Sequence, residues 1–512
     1  PDHFPPSSLL RPPNPSHSQM SASSNALVVV SDPPPTLLGK LVHWLRVKLG
    51  RPAAPADRPR RAVPVYVMLQ LDFALDDRSF TQPEFESQLT RLAAAGARGV
   101  MVDVWWGVCE PLPGVYDFSK YVALAALCRR LGLKLQCTMS WHACGGNVGD
   151  DVNIPLPKWA TDTVEKGGMF KLRGGGPLEL REMAWYTSPT GEVTREYLSL
   201  SVDEVAFLPA KGGEGKTRTP LDAYAEFMAV FKADMSEFID DGTVVEIQVG
   251  AGPCGELRYP SYQGARGWNY PGIGEFQCFD KGMQYMWCIE NPGGASSLYS
   301  SYMPVAGSGT MNDHHPTRTP FFRDDGVWRT AEGAHFLEWY ERVLHEHGDR
   351  LLSAAHDVFT GTSVKLSVKI AGIHWWYATP SHAAELKCGY YNTDYRNGYA
   401  TIAKLLRKHN AVFNFTCLEM HNWEQPPTAH ARPHDLVQRV WETAAREGVR
   451  FAGENALERY DMLAYRKIAG VFREAEGIVE STAFTYLRNG PKLFTWWHYR
   501  NFKKFVALMS DL

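Results

Sequence analysis

From residue 63 onward, short β-type apolar runs alternate with stretches of helical periodicity, and this alternation leaves few folds open. The runs cover residues 65–69, 99–104, 133–140, 244–249, 364–370, 411–416, 449–453 and 483–487. Each is of strand length and lies between helical or turn signals. Phe85, Leu89, Leu92 and Ala95 recur at helical spacing and stop at Gly96. Residues 121–130 do the same before Gly132, and residues 221–238 form a long amphipathic stretch. Eight strands with interleaved helices predict an α/β fold, a closed (β/α)8 TIM barrel over residues 63–512. Residues 141–243 and 250–363 are too long for ordinary connections, so long excursions are expected after strands 3 and 4, on the strand-end face. All strands of such a barrel end at one face, so polar residues at strand ends far apart in sequence meet in one pocket.

Seven of the runs lead into polar residues suited to one kind of chemistry. Asp103, His142, Glu256, Lys369 with His374, Thr416, Glu454 and Arg488 all lie at or just beyond a strand end. Breaking a glycosidic bond takes one carboxylic acid to protonate the leaving oxygen and a second carboxylate to attack the sugar or activate water. Glu256 and Glu454 are the candidates, each after a glycine-containing turn that lets the backbone bend sharply and a substrate come close. Two glutamates among 56 acidic residues are by themselves a weak signal. Asp103, His142, Asp150, Lys369, His374 and Arg488 add long donors and acceptors for sugar hydroxyls, and Thr416 adds a small hydroxyl able to orient a water or a carboxylate. For any one of these an ion pair or a loop cap is the simpler account. Their recurrence at equivalent positions is what points to a sugar-binding pocket.

Residues 142–150 (HACGGNVGD) hold three glycines in five positions and read as a mobile lid over that pocket. A phosphate cradle is the rival reading, but neither the G-x-G-x-x-G nor the G-K-[ST] spacing is present. His314 and His315 beside Asp313 sit in a Pro/Thr-rich stretch with no spaced helical pair, so no metal is expected.

Composition narrows the partners. A net charge of -3, with 21% charged residues, gives no whole-chain attraction to nucleic acid. Residues 36–62 are basic but too short to supply a DNA-binding module. No run approaches the roughly 18 apolar residues of a membrane span. Sixteen Trp and 22 Tyr offer flat faces for sugar rings, although most such rings serve a core. Nine scattered cysteines without a C-x-x-C pair read as reduced thiols, and the Asn414 sequon falls in a strand and should be buried. Cys144 and Cys417 lie beside pocket candidates, so thiol modification is expected to inhibit. Residues 1–62 are Pro- and Ser-rich, then basic with Asp57 as the lone acid of 36–62. That composition suits a plastid transit peptide or a disordered arm, with a cytoplasmic location as the alternative.

With these residues in view, the chain resembles the plant-type beta-amylases. The matching stretches run in order: 63–69, 99–107 (GVMVDVWWG), 142–150, 252–262 (GPCGELRYPSY), 272–278 (GIGEFQC), 372–376 (GIHWW), 413–420 (FNFTCLEM), 453–461 (GENALERYD) and 484–488 (FTYLR). The resemblance implies an inverting exo-hydrolase that releases maltose from the non-reducing ends of α-1,4-glucans, acting as a monomer on starch and maltooligosaccharides without metal or organic cofactor. By motif, it implies Glu256 as general acid, Glu454 as general base and Thr416 as the residue positioning that base. It further implies that Asp103, His142, Asp150, Lys369, His374, Asn455, Ala456 and Arg488 hold the glucose units. An inverting pair should stand ~6.5–9.5 Å apart. The alternative is a non-catalytic glucan-binding regulator, against which both glutamates, Thr416 and the lid are retained. Gln70 and Trp141 replace the Pro and Phe of the family pattern, residues 167–185 carry a Gly- and Arg-rich insertion, and residues 282–318 scarcely match, so altered packing is expected there.

Overall fold

Alternation within each strand decides which side chains face outward and which line the barrel. The computed structural model describes residues 62–75, 83–171, 176–211, 215–291 and 303–512. The expected N-terminal segment thus lies, apart from Ala62, outside the described residues. The barrel strands are β1 (Val65–Met68), β2 (Gly99–Trp105), β3 (Lys134–Ser140), β4 (Val244–Val249), β5 (Lys365–Ile370), β6 (Val412–Phe415), β7 (Phe451–Glu454) and β8 (Ser481–Tyr486). They pair in sequence order, all parallel, and β8 closes on β1. The expected (β/α)8 barrel is therefore present, with strand boundaries within two residues of the sequence reading.

On the outward face, Val100, Val102 and Val104 of β2, Leu135, Cys137 and Met139 of β3, Leu366, Val368 and Ile370 of β5, and Phe413 and Phe415 of β6 join one continuous core with the surrounding helices. Burial of each large side chain there is worth about 1.5–3 kcal/mol. The alternate residues turn inward and differ in kind. Tyr66, Val412, Ala452 and Ala483 form a small separate apolar plug. Above it, toward the strand ends, the interior becomes polar: Thr485 Oγ1 donates across the barrel to Gln136 Oε1 (3.2 Å), and Thr138 Oγ1 to Gln248 Oε1 (3.3 Å).

Eight helices cover the outside: α1 (Pro83–Ala94), α2 (Ser119–Leu131), α3 (Pro220–Asp234), α4 (Ala331–Phe359), α5 (Tyr399–Lys408), α6 (Pro433–Glu447), α7 (Met462–Ala475) and α8 (Trp496–Ser510). Their ends follow the sequence signals. Thr219 and Asp222 form a capping box at α3, and α2 stops at Gly132 with φ +70°. Trp141, the departure from the family's Phe, stacks on Tyr224 of α3 at 4.5 Å and is fully buried. The 167–185 insertion includes an antiparallel hairpin, Met169–Lys171 with Pro177–Glu179. In the poorly matching 282–318 region, Asp280 caps the helix Lys281–Glu290, and Trp287, Met303, Val305 and Met311 are all buried in the main core. Among the described residues no helix is long and apolar enough to cross a membrane.

Candidate active site

The turn after β4 delivers Glu256. Gly252 leaves no room for a side chain, since a Cβ there would meet the carbonyl oxygens of Glu256 and Arg258 at 2.7 Å. Gly255 takes φ +72°, in the left-handed region open to glycine, and a Cβ there would touch Thr138 at 3.5 Å and His142 at 3.8 Å. The chain leaves this turn beside the end of β5. Glu256 forms a parallel bridge with Lys369, and Leu257 N donates to Lys369 O at 2.9 Å. The Glu256 carboxylate accepts from Arg258 Nε at 2.6 Å, and the buried guanidinium lies 4.5 Å over the Tyr262 ring.

Glu454 ends β7 on the inward face. Its Oε1 accepts from Asn414 Nδ2 at 2.5 Å, and its Oε2 lies 3.6 Å from Lys369 Nζ. Asn414, the sequon residue, is buried as expected. Burial works against the Lys369 ammonium, but Glu454, Asp103 and Glu256 surround it and hold its pKa above the ordinary lysine value. Burial pushes the Asp103 carboxyl up, and this outweighs Lys369, the Ser140 hydroxyl (2.9 Å) and Arg488, which favour the charge. Thr416 Oγ1 accepts from Gly372 N at 2.7 Å, tying the end of β6 to that of β5.

His142 and His374 sit in the same water-poor surroundings. Burial lowers His142 to about 3, assisted by Lys369 and Arg258, and lowers His374 to about 4, so both rings are neutral near pH 7. His142 Nδ1, His374 Nδ1 and Arg488 Nη1 are buried without a hydrogen-bond partner. Unpaired buried nitrogens cost about 1–3 kcal/mol each, so a polar group that reached them would recover stability.

Three of the expected sugar contacts also have partners within the chain. Asp150 Oδ2 accepts from the Gly145 and Asn147 amides, both at 2.9 Å, and so braces the glycine segment. The Asn455 side chain donates to Leu457 O and Leu487 O and accepts from Leu487 N, stitching the end of β7 to that of β8. Ala456 N donates to the Glu419 carboxylate. These residues shape the rim through the backbone. The His314–His315 pair is a loop in which Asp313 accepts from His315 N.

Sequence reasoning missed four residues that the structure adds. Arg258 stands two residues beyond Glu256, and Asn414 alternates with Thr416 on one strand face, so both were within reach of spacing arguments. Glu196 and Glu419 come from a hairpin and a loop, where no periodicity marks them. Glu196 accepts from Asn147 Nδ2 at 2.5 Å and from Gln263 Nε2, holding the glycine segment from below. Burial raises Glu196 and Glu419 to about 7 each. The segment is also tied down by paired hydrogen bonds between Cys144 and Ile154 and by Ala265 N to Gly146 O. Cys144 and Cys417 are buried, and burial pushes both thiols up, so the expected reactivity at these two positions is not supported.

A closed parallel barrel whose strand ends bring together two carboxylates, each with its own donors, beside buried nitrogens awaiting partners, defines a glycoside hydrolase. Residues 66–511 match the model of Glycosyl hydrolase family 14, and the chain belongs to that family, the beta-amylases. It is 46% identical over 462 residues to "Beta-amylase 2, chloroplastic" of Oryza sativa subsp. japonica, covering 89% of this chain and 78% of the relative. It is 44% identical over 469 residues to "Beta-amylase 1, chloroplastic" of the same plant, covering 90% and 82%. The catalytic domain of beta-amylase from Paenibacillus polymyxa superposes with a TM-score of 0.68 at 27% identity, over 87% of this chain and 98% of that one.

Proposed function

We propose that the chain removes maltose from the non-reducing ends of α-1,4-glucans with inversion, using Glu256 as general acid and Glu454 as general base. The observation that carries this reading is the position of Lys369, whose backbone is paired to Glu256 while its ammonium lies 3.6 Å from Glu454. One residue thus sets both carboxylates at the same pocket. Glu454, held between an amide donor and an ammonium, is placed to take a proton from water. Thr416, anchored by the Gly372 amide, helps to position that base. Glu256 rests against Arg258, and its acid role requires it to leave that partner and carry a proton to the glycosidic oxygen once sugar fills the pocket. Asp103, His142, Asp150, Lys369, His374, Asn455, Ala456 and Arg488 hold the flanking glucose units, the bonds that Asp150, Asn455 and Ala456 make within the chain keeping them in place at the rim.

Proton NMR of the earliest product from soluble starch tests the reading: β-maltose is expected first. An α-anomeric product, or none from a folded sample that binds glucan, would overturn it. We further place the protein in the plastid, on the transit-like composition of residues 1–62 and the chloroplastic names of two relatives. A fluorescent fusion of those residues that stays in the cytosol would reject this.

A further inference from the structure

The first turn of α8 carries two adjacent tryptophans that the fold does not use. Trp496 is 73% and Trp497 55% exposed, Trp496 being the most exposed large apolar side chain among the described residues. Their ring centroids lie 5.7 Å apart with planes tilted by 35°, and the Arg500 guanidinium stands 5.5 and 5.6 Å from the two rings. Their neighbours are fixed. Phe494 and Tyr499 sandwich Arg91 of α1 at 4.5 Å each, and Tyr499 also donates to Arg91 O at 2.8 Å. His498 stacks on Tyr460 at 4.4 Å. The backbone that carries the indoles is therefore anchored, which limits the ordering cost when a ligand arrives to that of the two side chains.

Topology puts this pair on the face that matters. In a (β/α)8 barrel a helix begins on the face where the preceding strand ends. Trp496 follows Arg488, which closes β8 at the pocket, by eight residues, so the platform shares the strand-end face with the site. Residues 489–510 contain no Asp or Glu, which disfavours a cationic ligand and leaves a neutral, hydroxyl-rich one well matched. The substrate of a beta-amylase is a polymer that extends beyond the pocket, so a chain entering from the strand-end face leaves further glucose units outside it. Sugar rings offer apolar C–H faces to indoles and hydroxyl edges to a guanidinium. A tilt between the two planes suits the curvature of an α-1,4-linked chain better than a flat one.

We propose that Trp496 and Trp497, with Arg500, form a second, non-catalytic glucan-binding platform that holds starch chains beside the cleavage pocket. This rests on the glucan reading above. The test is co-sedimentation of the full chain with washed starch granules, run in parallel with turnover of maltopentaose, which is too short to need a surface platform. The double substitution Trp496→Ala/Trp497→Ala should weaken granule retention about tenfold or more, as expected when paired aromatic anchors are lost, while kcat/KM on maltopentaose stays at the wild-type value. The wild-type turnover also shows that the variant is folded. Unchanged retention overturns the proposal, as does unchanged retention together with loss of a self-associated form, which would assign the pair to contacts between copies. A chain that is retained through these tryptophans yet releases no maltose from maltopentaose would sink the hydrolase reading and leave this one standing.

Discussion

Replacing Gly372 with alanine tests whether the end of β6 holds the reaction geometry. A Cβ at position 372 would lie 2.4 Å from Cys417 Sγ, 2.9 Å from Cys417 Cβ and 2.9 Å from Thr416 O. Carbon and sulfur atoms settle near 3.5–4 Å, so residues 416–417 must retreat by about 1 Å. Cys417 is fully buried and takes φ +65°, which leaves it little freedom to yield by a rotamer change alone. Overpacking of this kind costs about 1–3 kcal/mol of stability, and Tm should fall by a few degrees. Activity should suffer more. The same movement strains the bond from Gly372 N to Thr416 Oγ1, and misplacing a reaction site by about 1 Å costs on the order of 100-fold in rate. The assay is kcat on maltopentaose beside a thermal melt. A folded Gly372→Ala protein with wild-type kcat would show that residues 416–417 do not position the reacting groups.

Glu256→Gln and Glu454→Gln should each lower kcat by about 10²–10⁴-fold while maltose still binds, as seen by calorimetry; near-normal turnover in either variant removes that residue from its assigned role. His374 carries a pH signature: its folded value of about 4 lies below the ordinary 6.5, so the unfolded chain binds more protons between these values and the folded state loses about 1.4 kcal/mol per unit as pH falls through that window. His374→Gln should lack that slope, and identical pH dependence of unfolding in the two proteins would contradict the burial argument. Thiol reagents should leave turnover unchanged in a protein with the two partly exposed cysteines, Cys254 and Cys288, replaced by serine, whereas rapid inactivation of that variant, abolished by the further changes Cys144→Ser and Cys417→Ser, would mean that these two are reachable after all.

The barrel was legible because its cause is local. Eight apolar runs separated by capped helices specify strand and helix one by one, and parallel closure follows from the connections. The inward set was partly legible too, since period-two alternation from Thr416 reaches Asn414 and the strand ends name Asp103, Lys369 and Glu454. What escaped was pairing across excursions. Nothing in the spacing of the Trp185–Thr187 and Val193–Leu198 hairpin says that Glu196 will lie under Asn147. The bonds that Asp150 and Asn455 make to the backbone around them escaped for a related reason: a polar residue at a strand end can bond neighbouring amides and carbonyls, and sequence does not say which.

Lys369 has a consequence for how such a site can change over time. Because its main chain pairs with the backbone at Glu256 while its ammonium lies at the Glu454 carboxylate, a slip of β5 along its neighbours would disturb the proton donor and the proton acceptor together, and neither could be retuned alone by sliding that strand. Each carboxylate also keeps a partner to itself, Arg258 on one side and Asn414 on the other, and a change there acts on one carboxylate without moving β5. The two half-reactions of proton transfer are thus mechanically joined at one lysine and chemically adjustable at two separate places.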